Sequence, residues 1–260
     1  MNAFFRILRG EFRPRELRPY LAIETVVFWG VIFQCWRMFP EENSFSIMTH
    51  TFSFLGSFNS DRNPEGWWLF TVALCFWGVA TVPLALYIRR SIKEVSPWAA
   101  RIGGGLLLVG ALGVVLVGTM PDARAIAVGS LKWGELHKFA ALVLVVGYLF
   151  GIPLIGYGLL RELLAPKTSI SVTTRHLLPY GFFVLVSATS LAFLTRWLFV
   201  YADMKTHAQI TGVDVGSSWS EALGTRYSFP LWDNVFIYTL FITLSWMALA
   251  APSIMRERQG

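Results

Sequence analysis

Residues 102–119 read IGGGLLLVGALGVVLVGT, a stretch of eighteen residues without a charged side chain. Because a bilayer core takes about 20 apolar residues per helix, this stretch predicts a membrane-spanning helix. Five further runs are similar, and the six predicted spans are 20–38, 66–88, 98–119, 138–160, 178–200 and 232–252. These runs are much longer than the alternating segments of about ten residues in a transmembrane β-barrel. The chain is therefore predicted to be an all-α polytopic membrane protein with six transmembrane helices.

The composition supports this class of protein. Hydrophobic residues make up 55% of the 260 residues and charged residues only 15%, against about 25% charged residues in soluble domains. No polar linker is long enough to separate two domains, so we expect one six-helix domain over 1–260. Its basic N-terminal segment, 1–19, is consistent with an amphipathic helix lying flat on the membrane and equally with a solvated tail.

The basic residues lie mostly on alternate sides of the spans. Fourteen of the 22 lysines and arginines precede span one, follow span six, or lie between spans two and three or spans four and five, if Arg101 at the start of span three is included. Because Lys and Arg in short loops mark the cytoplasmic side, we expect both termini in the cytoplasm, with the protein in a bacterial cytoplasmic membrane. The net charge of +6 then reflects topology, and no nucleic-acid partner is expected. Binding to a protein partner stays an open alternative.

Polar residues of the kind that form sites gather on the predicted outer side, where three of the four histidines lie. Asp203 and His207 are four residues apart and share a face if the fifth helix extends beyond its span. With His50 and His137 they would form a three-histidine, one-carboxylate set of the kind that binds zinc and activates water. The alternative is that the histidines cap helices or bond to carboxylates at the mouth of the bundle.

Two arginines lie near the outer ends of spans. Arg37 in span one and Arg196 in span five either form ion pairs, with Asp203 or Asp233 as partners, or bind a lipid phosphate. A guanidinium matches a phosphate group with two parallel hydrogen bonds, which is the basis of the second interpretation.

Inside the spans, one acid and many glycines stand out. Glu24 lies about one turn into span one, where snorkelling or pairing with Arg18 or Arg101 would explain a charged residue in an apolar run. Glycines in spans three and four predict a closely packed hairpin. Cys35 and Cys75 are expected to be buried free thiols, although a disulfide stays open.

Two stretches carry a family resemblance. One is HTFSFLG at 50–56 followed by NPEGWWLF at 63–70, and the other is VGTMPD at 117–122 followed by ELHKFAA at 135–141. Over about residues 20–160 the chain resembles the DRAM/FRAG-type superfamily of six-helix membrane proteins and its bacterial relatives of unknown function. The matching positions are Ser53, Gly56, Asn63, Pro64, Phe70, Gly118, Pro121, Asp122 and His137. The resemblance implies a lipid-linked role.

The polar cluster and the resemblance together favour an outer, laterally open pocket that binds or modifies a membrane lipid. Its expected residues are His50, Ser53, Asp122, His137, Arg37 and Arg196. One alternative is a metal-dependent membrane hydrolase that uses the histidine set. Another is a non-catalytic sensor or assembly partner that uses the loop 201–231, in which 217–221 favour a surface helix. The sequence assigns no enzyme class, and zinc is its only cofactor hypothesis.

Overall fold

A computed structural model describes residues 3–60, 62–122, 127–128, 131–165, 172–211 and 228–256. It describes their side chains except at positions 14, 43, 127–128, 131–132, 197–198, 200–211 and 252–256. The surface helix expected at 217–221 lies outside the described residues.

The described chain is almost entirely helical. Its α-helices are α1 (Ala3–Leu8), α2 (Pro14–Arg37), α3 (Trp67–Lys93), α4 (Pro97–Thr119), α5 (Trp133–Leu164), α6 (Thr174–Thr211) and α7 (Phe229–Arg256). Two short 3₁₀-helices, Glu41–Asn43 and Phe52–Gly56, lie between α2 and α3. Before α5, strands β1 (Ala127–Val128) and β2 (Leu131–Lys132) form a small antiparallel hairpin. The all-α prediction is confirmed.

Six of these helices, α2 to α7, are long and apolar enough to cross a membrane, which confirms the six predicted spans. Several extend beyond the predicted limits. The proline at the first turn of α2 and of α4 suits a position where no backbone N–H is needed. Large apolar side chains remain exposed on these helices, with Val26 72%, Leu185 68% and Phe199 73% exposed. Such faces require an apolar solvent.

α4 and α5 pack more closely than any side chain would allow. A Cβ atom on Gly113 would lie 2.3 Å from the backbone nitrogen of Leu144, and one on Gly147 would lie 2.3 Å from the backbone nitrogen of Gly110. Only glycine permits such close approach of two membrane helices. The predicted glycine-rich hairpin is therefore confirmed.

The remaining helices surround this pair. α3 packs on α4 and α2, α5 packs on α6 as well as α4, and α7 packs on α6, α3 and α2. α2 and α4 end, and α3, α5 and α7 begin, at one end of the bundle, which we call the pocket end. Cys35, near the end of α2, and Cys75, in α3, are both free, as the sequence favoured.

The basic N-terminal segment folds against the bundle. Between α1 and α2, Gly10 adopts a positive φ of 70°, and a Cβ atom there would lie 2.6 Å from a backbone nitrogen of α3. Arg6 pairs with Glu16 at the start of α2. Glu16 also accepts a hydrogen bond from the backbone N–H of Arg13 at 2.8 Å. This contact fixes the start of α2 six residues before the predicted span.

The earlier start of α2 changes the position of Glu24. This residue lies nine residues into the span Arg15–Arg37, or about 14 Å along the helix, rather than one turn. Its side chain is buried, with 3% exposed, so the expectation that it snorkels is wrong. Arg18 and Arg101, the expected partners, are both exposed, and the ion pairs of the described residues do not include Glu24.

Candidate functional site

A cavity of about 1250 Å³ lies at the pocket end, below the loop residues 49–54. Three helices supply most of its wall: Phe70, Leu74 and Trp77 from α3, His137, Lys138, Ala141, Leu144 and Val145 from α5, and Phe229, Pro230, Asp233, Phe236 and Ile237 from α7. On each helix these residues recur every three or four positions and thus share one face. The cavity therefore separates α5 from α7 at this end.

The wall changes from polar to apolar with depth. On α5, His137 and Lys138 come first and Leu144 and Val145 follow one to two turns deeper. On α7 the order is different: the apolar Phe229 and Pro230 lie at the start of the helix, Asp233 follows, and the apolar Phe236 and Ile237 lie deeper. At 1.5 Å per residue the apolar part extends about 10 Å below the polar residues. The cavity is amphipathic, with its polar groups at the mouth.

An ion pair between a buried arginine and a partly exposed aspartate joins the loop to the end of α4. Arg62 is 4% exposed, and its Nη1 donates to Oδ2 of Asp122 at 2.5 Å. The guanidinium carbon lies 3.8 Å from the centre of the Phe54 ring, close enough for a cation–π contact. Ser57 Oγ donates to the backbone carbonyl of Asp122 at 2.6 Å. The pair thus holds one side of the mouth in place.

His50 is enclosed by the rings of three phenylalanines at centroid distances of 5.4 to 5.7 Å. The backbone N–H of Ser46 donates to His50 Nδ1 at 3.2 Å, which assigns the lone pair to Nδ1 and the hydrogen to Nε2. Burial lowers the pKa of His50, and the charge of Arg62 lowers it further. His50 is therefore a neutral ring with an N–H donor at Nε2.

His137 has the opposite arrangement. Its Nδ1 lies 2.5 Å from the backbone carbonyl oxygen of Met120, and because a carbonyl only accepts, Nδ1 carries the hydrogen. A ring that has its single hydrogen at Nδ1 has its lone pair at Nε2. This bond caps the end of α4, as the alternative interpretation of the histidines expected. The same cavity is thus lined by one histidine with an Nε2 donor and one with an Nε2 acceptor.

The structure brings four of the six predicted pocket residues to the cavity: His50, Ser53, Asp122 and His137. Arg37 and Arg196 are exposed and are not among the described residues of the lining. Within the described residues no ion pair includes Arg37. Asp233, considered as a partner for it, accepts a hydrogen bond from the backbone N–H of Phe52 at 3.0 Å.

The zinc hypothesis stays a prediction. α6 extends to Thr211, so Asp203 and His207 share a helix, but their side chains lie outside the described part. Among the described side chains, no three His, Cys, Asp or Glu residues are grouped closely enough to hold a metal ion.

Sequence analysis did not select Arg62, Lys138 and Asp233, which also line the cavity. Two of them are next to residues it did single out: Arg62 precedes Asn63, and Lys138 follows His137. A search of the positions beside each motif would have found both. The pattern around Asp233, at the start of the last span, contains no comparable signal.

Several motif residues serve the fold. The Asn63 amide nitrogen donates to the backbone carbonyls of Cys35, at 3.1 Å, and Leu55, at 2.9 Å, and so connects α2 to the 3₁₀-helix before α3. A Cβ atom on Gly56 would lie 2.2 Å from the Phe70 ring, so only glycine fits there. These contacts place the loop over the cavity.

Comparison with known proteins identifies a family whose function is unknown. Residues 26–206 match DUF998, described as a protein of unknown function. No curated protein and no solved structure matches the chain. The comparisons show no link to the DRAM/FRAG superfamily. Since the match covers well over half of the chain, this six-span membrane protein belongs to the DUF998 family.

Proposed function

We propose that the cavity binds a membrane lipid, with the head group at the polar mouth and the first part of an acyl chain in the apolar section. The observation that carries this proposal is the order of the lining residues on α5, polar at the mouth and apolar below, together with the apolar Phe236 and Ile237 that lie below Asp233 on α7. A small polar metabolite would leave the apolar section unfilled. A purely apolar ligand would leave the donors and acceptors of the mouth unpaired, which costs binding energy.

The size of the cavity agrees with a lipid. Sites for small molecules commonly measure about 300 to 1,000 Å³, and this cavity, at about 1250 Å³, exceeds that range. The apolar section, roughly 10 Å deep, accommodates the upper part of a chain, and the remainder would extend into the bilayer. Among the described residues, the cavity lies between the pocket-end parts of α5 and α7, which favours entry of the lipid at that end.

The mouth selects for a head group that both accepts and donates hydrogen bonds. Lys138 and the Nε2 hydrogen of His50 are suited to a phosphate or another acceptor. Asp233 and the Nε2 lone pair of His137 are suited to a hydroxyl or ammonium donor. Arg62 is buried and paired with Asp122, so we assign it to the frame of the mouth. Lys138 pairs with Glu135 on the exposed surface, where a head group can replace that partner.

Two features of the sequence support the same proposal. The loops at the pocket end hold few of the lysines and arginines, which favours an outward-facing cavity that a lipid of the outer leaflet would enter. The resemblance of the motif residues to DRAM/FRAG-type proteins implies a lipid-linked role, and the motif residues Ser53, Asp122 and His137 all line the cavity.

The test is lipid analysis of the full chain purified in a mild detergent and measured by native mass spectrometry. The wild type is expected to retain about one tightly held lipid. Ala141→Trp fills the apolar section and should release it. Leu142→Trp is the matched control, because Leu142 is 57% exposed and does not line the cavity, and this variant should retain the lipid. A wild type without lipid, or equal retention by both variants, would overturn the proposal.

The two histidines favour lipid modification as a second candidate. A lone pair for proton removal and an N–H for stabilising negative charge are the usual pair in acid–base catalysis. Incubation with mixed phospholipids should then yield a new lipid species with the wild type and none with His137→Gln. Unchanged lipids with an occupied cavity would leave binding as the function.

A further inference from the structure

Three polar side chains meet near the middle of the bundle, outside the cavity. They are Glu24 on α2, Thr81 on α3 and Tyr148 on α5, with 3%, 0% and 0% exposed. Thr81 lies beside both of the other groups. Counted from the pocket end, they lie 13, 14 and 15 residues along their spans, about 20 Å deep at 1.5 Å per residue. The three helices therefore bring these side chains to about the same distance from the pocket end.

No cation neutralises this carboxyl within the described residues, whose ion pairs do not include Glu24. The titratable groups that face it are the hydroxyls of Tyr20, on its own helix, and Tyr148 on α5. Neither supplies positive charge. An ionised carboxylate without a cationic partner is costly to hold in an apolar interior, whereas a protonated carboxyl is not.

The hydrogen-bonding groups of the cluster are incompletely used. Thr81 Oγ1 donates to the backbone carbonyl of Trp77 at 2.8 Å, so its lone pairs remain available. Glu24 Oε2 and Tyr148 Oη are buried and have no hydrogen-bond partner among the described residues. A hydrogen on the carboxyl would supply the cluster with a further donor, and an internal water between the oxygens would complete the remaining bonds.

The cluster lies directly below the cavity. Trp77 and Leu144 belong to the cavity wall, and Thr81 and Tyr148 each follow one of them by four residues. That spacing is about one helical turn, or roughly 5.4 Å. Since α3 and α5 both begin at the pocket end, both steps lead deeper into the bundle. On α3 and on α5, the cavity wall therefore lies about one helical turn from the cluster.

We propose that Glu24, Thr81 and Tyr148 form a proton-binding site inside the membrane-spanning bundle, reached by protons through the cavity. Glu24 holds the proton, and the two hydroxyls orient it. The proposal does not depend on lipid as the ligand of the cavity, because it requires only that water reaches the cavity floor.

The test is infrared spectroscopy of the full chain in lipid nanodiscs, which separates the C=O stretch of a protonated carboxyl from that of a carboxylate. At neutral pH the wild type should show a protonated carboxyl band, and Glu24→Gln should remove it. Glu162→Gln is the matched control, because Glu162 is also a buried glutamate, with 7% exposed, and this variant should keep the band. An undiminished band in Glu24→Gln, or no such band in the wild type, would overturn the proposal.

Two further measurements keep the proposal testable if Glu24→Gln fails to fold. Carbon-13 labelling of glutamate should shift the band in Glu162→Gln protein, and a band that does not shift rules out Glu24 as its source. On transfer to D₂O, Ala141→Trp should exchange the carboxyl hydrogen more slowly than Leu142→Trp. Equal exchange rates would exclude the cavity as the route.

Discussion

The two sides of α5 meet their neighbours in opposite ways. Toward α4, the helices are so close that Gly113 and Gly147 have no space for a methyl group. Toward α7, residues from His137 to Val145 line a cavity of about 1250 Å³. Because helices in a membrane associate chiefly through close packing, the tight side is what allows the other side to stay open. One helix thus supplies both the rigid support and the wall of the cavity.

The largest expected loss of stability is at the closely packed interface between α5 and α4. Gly147→Ala places a Cβ atom 2.3 Å from the backbone of Gly110 and should reduce the free energy of unfolding by roughly 3 kcal/mol. Unfolding in mixed micelles with increasing SDS measures this change. The control is Gly105→Ala on α4, where a Cβ atom has no neighbour within 4 Å, and little change is expected. Equal losses would mean that close packing is not what the glycines provide.

The second effect concerns the mouth of the cavity. Arg62→Met removes the charged partner of Asp122, whose side chain is 24% exposed, and should cost about 2 kcal/mol in the same unfolding assay, since a hydrogen bond between charged groups contributes roughly that much. Lys138→Met breaks an ion pair with Glu135 whose side chains are 74% and 60% exposed, and should cost less than about 1 kcal/mol. A larger loss for Lys138→Met would contradict the assignment of Arg62 to the frame.

The third prediction concerns the pH dependence of stability. Burial and the charge of Arg62 lower the pKa of His50 below its ordinary value of 6.5. The unfolded chain therefore takes up a proton near that pH while the folded chain does not. Stability should fall as the pH drops from 6.5 toward the lowered value and be fully present above 6.5. His50→Gln should reduce this dependence in thermal unfolding measured at stepped pH, and an unchanged dependence would contradict the burial of a neutral ring.

The smallest loss of stability is expected on the side of α5 that lines the cavity. Ala141→Trp adds a large side chain to α5 only six residues before Gly147, yet it should change the free energy of unfolding by less than about 1 kcal/mol in lipid-free detergent, because the cavity has space for it. The SDS assay compares the two variants directly. A loss as large as that of Gly147→Ala would show that the cavity is filled by the protein itself.

The six helices could be predicted from the sequence because each apolar run is by itself long enough to indicate a membrane-spanning helix. The position of Glu24 along its helix did not follow. The helix begins where Pro14 and the bonds of Glu16 allow, six residues before the apolar run, and hydropathy does not record such a start.

Only part of the candidate site could be predicted from the sequence. Ser53, Asp122 and His137 were found because short motifs carry them. The pairing of Arg62 with Asp122 joins residues 60 positions apart, and the bond from Phe52 to Asp233 joins residues 181 apart. Such contacts depend on how the helices are arranged, which no local pattern of residues records.

The position of Asn63 has a consequence for how the protein assembles during biosynthesis. Its amide bonds to the end of α2 and to the loop, while its own carbonyl accepts the backbone N–H of Trp67, the first residue of α3. Only the bond to Cys35 requires the loop to return to the end of α2, whereas the bonds to Leu55 and Trp67 are local. The loop is also bonded to α7, because Phe52 donates to Asp233, so the mouth of the cavity is complete only when the last span is in place.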